Sequence, residues 1–157
     1  MSNERKYRRG VGVMLLNGEG KVFVGARIDN TDEAWQMPQG GIDDADDDEW
    51  ATALRELEEE TGIPPRLVVR ISAAPERLKY DLPDELKRKL WGGKYAGQDQ
   101  DWFLARFIGQ DSDINIATKH PEFRTWKWIW PAELPSLIVP FKRALYEQLL
   151  SEFAEYL

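Results

Sequence analysis

Residues 55–63 read Arg55-Glu56-Leu57-Glu58-Glu59-Glu60-Thr61-Gly62-Ile63. The run belongs to a helix that begins near Asp48, because Trp50, Leu54, Leu57 and Thr61 make one narrow apolar stripe at about 100° per residue. Gly62, with Pro64 and Pro65 behind it, ends the helix. The same wheel assigns Glu56, Glu59 and Glu60 to the roughly opposite side, related by i,i+3 and i,i+4 spacings. Like charges so spaced cost some tenths of a kcal/mol per pair, about 0.2–0.5 in an isolated helix. They also stand in the later turns, where the helix dipole disfavours anions. A sequence chosen for stability alone would carry lysine there. From the residues alone, such a set is either a solvated acidic face or the site of a divalent cation: hard Mg²⁺ or Mn²⁺ takes oxygen ligands, few from protein and the rest from water and substrate phosphate.

Outward from this helix the pattern changes period. Upstream, residues 11–16 (VGVMLL) and 21–26 (KVFVGA) flank Asn17-Gly18-Glu19-Gly20, which reads as a β-hairpin. Trp35-Gln36-Met37-Pro38-Gln39-Gly40-Gly41-Ile42 follows, and its paired glycines let backbone carbonyls approach a metal or phosphate. Downstream, residues 68–74, 102–108 and 125–130 read as strands, the last with Trp126, Trp128 and Trp130 alternating as one packing face. Residues 141–156 resume helical spacing through Phe141, Leu145, Leu149 and Phe153. Strands before, between and after two helices predict an α+β fold with a mixed sheet between helices, and residues 1–157 read as one domain.

Composition removes several classes of function. No cysteine excludes thiolate metal sites, disulfides and a cysteine nucleophile, and His120 as the only histidine excludes a multi-histidine zinc centre. A formal charge of −7 argues against a broad surface for duplex DNA. No apolar run approaches the roughly 20 residues a membrane span needs, and no secretory h-region is visible. The expectation is a soluble cytoplasmic protein. The acidic run at residues 43–49 reads as a solvated loop, with Asp48 favourable at the helix N-terminus.

Residues 41–63 resemble the Nudix box at Gly41, Asp47, Arg55, Glu56, Leu57, Glu59, Glu60, Gly62 and Ile63. Asp47 stands where that family usually has glutamate, and the acidic loop is one residue longer than in close relatives. The segments Trp91-Gly92-Gly93-Lys94-Tyr95, Gly97-Gln98, Asp113-Ile114-Asn115, His120-Pro121-Glu122-Phe123 and Val139-Pro140-Phe141-Lys142 extend the likeness over nearly the whole chain. They are similar to the RNA pyrophosphohydrolases, or (di)nucleoside polyphosphate hydrolases, of the alphaproteobacterial type.

The resemblance implies an α/β/α Nudix sandwich and a metal-dependent phosphoanhydride hydrolase. Its substrates would be 5′-triphosphorylated or diphosphorylated RNA ends, with pyrophosphate removed to leave a 5′-monophosphate and promote mRNA decay. The alternatives are hydrolysis of dinucleoside polyphosphates, or a Nudix domain that binds nucleotides without turnover. By matching position, Glu56, Glu59, Glu60 and Glu122, with the Gly40 carbonyl, are implied as ligands of Mg²⁺ or Mn²⁺ and as the catalytic set. Either Glu60 or Glu56 orients the water. Arg8 is implied at the 5′ phosphates, Arg27 and Phe141 on either side of a nucleobase, and Tyr80 and Lys142 near the same pocket. From the residues alone, Phe141 also fits the apolar stripe of the last helix, and Glu122 is an ordinary loop glutamate.

Overall fold

The computed structural model describes residues 6–29, 34–42 and 48–157, the side chains of Arg88, Lys89 and Trp91 excepted. Asp47 and most of the acidic loop lie outside the described residues. Seven strands are β1 (Lys6–Leu16), β2 (Val22–Arg27), β3 (Gln39–Gly41), β4 (Val68–Ala73), β5 (Leu78–Asp81), β6 (Tyr95–Phe107) and β7 (Phe123–Ile129). The helices are α1 (Glu49–Thr61), α2 (Asp84–Lys89), α3 (Leu134–Leu137) and α4 (Arg143–Glu152). The sheet runs β4-β6-β1-β2-β7, with β3 added on β1 and β5 on β6. Among the described residues only β1 and β6 pair in parallel, so the sheet is mixed, as expected.

Alternation along β1 builds the sandwich. Val11, Val13 and Leu15 face one side and join Phe23, Phe103, Ala53 and Leu57, so α1 covers that face. Met14 and Leu16 face the other and join Val24, Trp102, Leu104, Leu145, Tyr146 and Leu149, so α4 covers it. The expected hairpin closes over Asn17: its side-chain carbonyl accepts from the Glu19 and Lys21 amides, and Gly20 takes φ 84°. The two strands then pair only at Leu16↔Val22, because β3 occupies β1 from Gly10 to Gly12 and β2 turns to β7.

Helix α1 is capped as its sequence requires. Asp48 accepts from the Trp50 amide, and Gly62 at φ 73° donates to the Glu58 carbonyl. Its buried arc is wider than the apolar stripe, however. Glu60 is 1% exposed, against the expectation that it lies opposite Leu57. Three residues along a helix is only about 60° around it, so Glu60 shares the inward arc with Leu57 and Ala53. The terminal helix differs too: a 3₁₀ turn, Pro140–Lys142, precedes α4, and another, Ala154–Tyr156, follows it. Phe141 therefore stands on the turn, half-buried against the core, rather than within the α4 stripe. Of the three alternating tryptophans, Trp126 and Trp128 pack on Phe23, whereas Trp130 lies past the end of β7, half-exposed under the Lys21 ammonium.

Candidate active site

Two glycines on β3 bring the site together. Gly40 stands so close to Glu56 that any Cβ there would collide with its carboxylate, and a Cβ on Gly41 would collide with the Arg8 guanidinium. The short strand is held by its register against Gly10, Val11 and Gly12, so the α1 carboxylates and the β1 arginine converge across bare backbone.

A cavity of about 1250 Å³ opens there. Arg8, Gly40, Glu56, Glu59 and Glu122 line its charged end, with Arg27 among them. Tyr80, Phe141 and Lys142 line it further along. Of the ligands and substrate contacts that the resemblance implies, all but Glu60 border this cavity, and Glu60 lies buried beside Glu56 and Glu122.

The acids differ sharply in environment. Both carboxylate oxygens of Glu60 are buried without a hydrogen-bond partner. Burial first, then the charges of Glu122 and Glu56, push its pKa well above the carboxylate range; Arg27 and the Gln39 backbone amide, which falls short of hydrogen-bond geometry, ease it. Glu56 is pushed up to about 7, again by burial first and then by Glu59, with Arg55 opposing. Glu59 is 57% exposed and its carboxylate lies 3.3 Å from Arg55, which also reaches Glu56 at 3.6 Å. Among the described residues no three acid or histidine side chains converge as a ready-made metal cage. The fit to a cation rests instead on chemistry: an all-oxygen set, an orphaned buried carboxylate, two neighbours of like charge and a glycine that admits close approach. A divalent ion satisfies all four.

The cations beside them are organised. Arg27 donates to both oxygens of Asp29 at 2.9 and 3.0 Å and stands 3.8 Å from Glu122. That hydrogen bond raises the guanidinium's pKa against its own burial, and it lowers that of Asp29. Lys142 is buried, its ammonium 5.1 Å from the Tyr80 ring and 5.8 Å from Phe141. Burial, and then Arg27, bring its pKa down to about 8. The Tyr80 and Phe141 rings are 5.9 Å apart and tilted by 44°.

Three features of the site escaped the reading of the sequence. Asp29 fixes Arg27; opposite charges two residues apart at a strand end were the available signal. Gln39, Gln98 and Gln100 form a buried amide chain in which Gln100 donates to Gln98 at 2.9 Å and Gln39 at 3.3 Å and accepts from the Trp102 indole. Gln39 also stands beside the phenol of Tyr80, whose pKa is raised chiefly by burial and eased by that amide. No local pattern announces such a chain, because its members come from two strands.

A family description of the NUDIX domain matches residues 6–149. A protein of Sphingopyxis alaskensis named RNA pyrophosphohydrolase is 60% identical over 147 residues, 94% of this chain and 92% of that protein. A Zymomonas mobilis protein of the same name is 56% identical over 149 residues, 95% of this chain and 96% of its own length. Among solved structures, a C. elegans Ap4A hydrolase binary complex superposes with a TM-score of 0.66 at 19% identity, covering 94% of this chain and 98% of the other, a likeness of fold.

Proposed function

Since the chain belongs to the Nudix hydrolase family, we propose that it is an RNA pyrophosphohydrolase, removing pyrophosphate from the 5′-triphosphate end of RNA to leave a 5′-monophosphate and promote mRNA decay. Residues 1–157 act as one such domain, working in the cytoplasm where transcripts are. No helix among the described residues is long and apolar enough to cross a membrane.

The observation that carries this reading is Glu60, a buried carboxylate with two unpartnered oxygens beside Glu56 and Glu122, at the charged end of a cavity large enough for a nucleotide and its phosphates. An unpaired buried charge costs several kcal/mol unless something binds it. Glu56, Glu59, Glu60 and Glu122, with the Gly40 carbonyl, would hold Mg²⁺ or Mn²⁺, which when bound neutralises phosphate charge and lowers the pKa of water. Arg8, braced where Gly41 leaves room for its guanidinium, receives the terminal phosphates bidentately. Arg27, oriented by Asp29, and Phe141 flank the first base, and Tyr80 and Lys142 close that side. Glu56 borders the cavity in which the phosphates would lie, so it is the acid placed to orient the attacking water. Glu60 is the more deeply buried and serves as ligand.

A second reading, hydrolysis of dinucleoside polyphosphates, is favoured by the cavity volume, and one site can accept both substrates. A nucleotide-binding regulator without turnover has no need of the mutually repelling acids. The test is to incubate the protein and Glu60→Gln with Mg²⁺ and either 5′-triphosphorylated RNA or diadenosine tetraphosphate. RNA 5′-monophosphate formed by the parent and lost in the variant is the expected result. Cleavage of the dinucleotide alone makes the second reading correct, and turnover of neither by a metal-binding protein leaves the regulator.

A further inference from the structure

Arg8 and Arg9 are neighbours on β1 and so face opposite sides of the sheet. Arg8 borders the cavity; Arg9 shares the side of Val11 and Val13, which α1 covers. The backbone carbonyl of Arg9 accepts from the Ile42 amide at 3.1 Å, one residue past β3. Its guanidinium Nη2 donates to Glu49, the first residue of α1, at 3.3 Å and reaches Asp101 of β6 at 3.5 Å. One residue therefore grips the chain where the acidic run begins and where the helix starts. Asp101 is braced in turn, 3.7 Å from Arg77, which stands at the same distance from Asp99.

The α1 carboxylates depend on their register against β3, because Glu56 fits over the bare backbone of Gly40. The far end of the helix is tied by the Asn115 amide, which donates to the Thr61 carbonyl at 2.8 Å. At the near end Trp50 rests on Phe103, with 5.2 Å between ring centres. That apolar contact sets the spacing of helix from sheet but is non-directional. The charged contact of Arg9 with Glu49 is the one that fixes where along β1 the helix begins. Glu56 stands five residues from Thr61 and seven from Glu49, so a shift at the start reaches it reduced to roughly two-fifths. Metal–ligand distances hold to about 0.2 Å, so a displacement of about 0.5 Å at Glu49 already disturbs a site that uses Glu56.

We infer that Arg9 is a positioning residue of the metal site: by holding Ile42 and Glu49 together it sets the register of the α1 carboxylates on β3. This rests on the reading of Glu56, Glu59 and Glu60 as metal ligands. Arg9 acts through Glu49 and touches neither the metal nor the substrate. Two adjacent arginines thus divide the work, one on the phosphates and one on the helix that carries the ligands.

The test is Mn²⁺ binding, which needs no turnover and is read from the loss of the free-ion electron paramagnetic resonance signal. The parent would be titrated beside Arg9→Met, Glu49→Gln and the double variant. Charge alone predicts opposite signs, because removing a cation near acids tightens Mn²⁺ binding and removing an acid loosens it, and the double variant returns to the parent. Loss of register predicts that each single variant binds several-fold more weakly and that the double variant is no weaker than the weaker single one. Arg9→Lys, which keeps a charged donor, should recover part of the affinity. Both partners are more than two-fifths exposed, so thermal melts of all four variants should stay close to the parent. Binding by Arg9→Met as tight as the parent's, or tighter, overturns the positioning role, and so do losses that add in the double variant. A parent that binds no Mn²⁺ overturns the metal site and the positioning role together. The expected pattern in a protein that cleaves no triphosphorylated RNA sinks the proposed activity and leaves the role of Arg9 standing.

Discussion

The guanidinium of Arg27 is held on both of its Asp29 contacts, at 2.9 and 3.0 Å, while its other face stands 3.8 Å from Glu122. A long side chain at the mouth of a cavity thereby has one orientation. Glu122 is thereby held between the Nη1 of this guanidinium, which the Asp29 pair leaves facing it, and the charges of Glu60 and Glu56.

Asp29→Ala follows from this. Surface pairs contribute on the order of 0–1 kcal/mol to folding, and Asp29 is 66% exposed, so the melting temperature should hardly move. The freed Arg27 is expected to swing toward Glu122, raising KM for triphosphorylated RNA several-fold with little change in kcat. Steady-state kinetics beside a thermal melt would show it; an unchanged KM removes Asp29 as the positioning residue of Arg27.

The pH dependence of metal-free stability has a definite sign. Glu56 titrates near 7 in the folded protein, and Glu60 is raised well above the ordinary 4.5. Folding therefore raises proton affinity at both, and stability falls as pH climbs from 4.5 through 7. Melts in a chelator should show a lower Tm at pH 8 than at pH 6. Glu60→Gln should flatten that slope and gain most at pH 8, where about 1 kcal/mol corresponds to some 2–4 °C in a chain of this size. Mg²⁺ should raise the parent's Tm and do much less for the variant. A parent whose Tm climbs steadily from pH 6 to 8 without metal contradicts the burial of an uncompensated acid.

How far this site was legible in the sequence differs residue by residue. Gly40, Glu56 and Glu59 were readable because their neighbours in space are near in sequence or one helical turn apart. Arg8, Glu122 and Phe141 come from three distant elements, and only the family resemblance pointed to them. Glu60 was legible as an acid but not as a buried one, because the apolar stripe was drawn too narrow. Strand β5 and helix α2 went unread: one has four residues and the other six, too short for either period to declare itself, and Pro83 breaks the pattern between them. Trp130 was expected to pack because strand alternation was carried one residue past the end of β7.

Gly40→Ala separates site geometry from folding. The new methyl meets the end of the Glu56 side chain rather than backbone, so the fold can accommodate it by moving that carboxylate. Stability should change by no more than about 1 kcal/mol. Displacing a carboxylate by about 1 Å can cost on the order of 100-fold in rate, and the Mg²⁺ concentration for half-maximal activity should rise with it. Full activity in this variant would mean that Glu56 does not work from the position it occupies against β3.

Gln100→Leu tests whether the amide chain serves the fold or the site. Gln100 is fully buried, and its side chain accepts from the Trp102 indole while donating to Gln98 and Gln39. Leucine fills similar space and leaves the indole N–H and two amide carbonyls without a partner. Each such group costs about 1–3 kcal/mol, and Gln98 borders the cavity, where its side-chain carbonyl can turn to another donor. The variant should therefore lose roughly 2–5 kcal/mol, a fall in Tm of at least about 5 °C. Gln39, released from Gln100, also touches Tyr80, so KM should rise at temperatures where the variant is fully folded, with kcat less affected. A destabilised variant with unchanged KM assigns the chain to folding alone. A variant as stable as the parent shows that Gln39, Gln98 and the Trp102 indole find other partners, and the chain then supports neither.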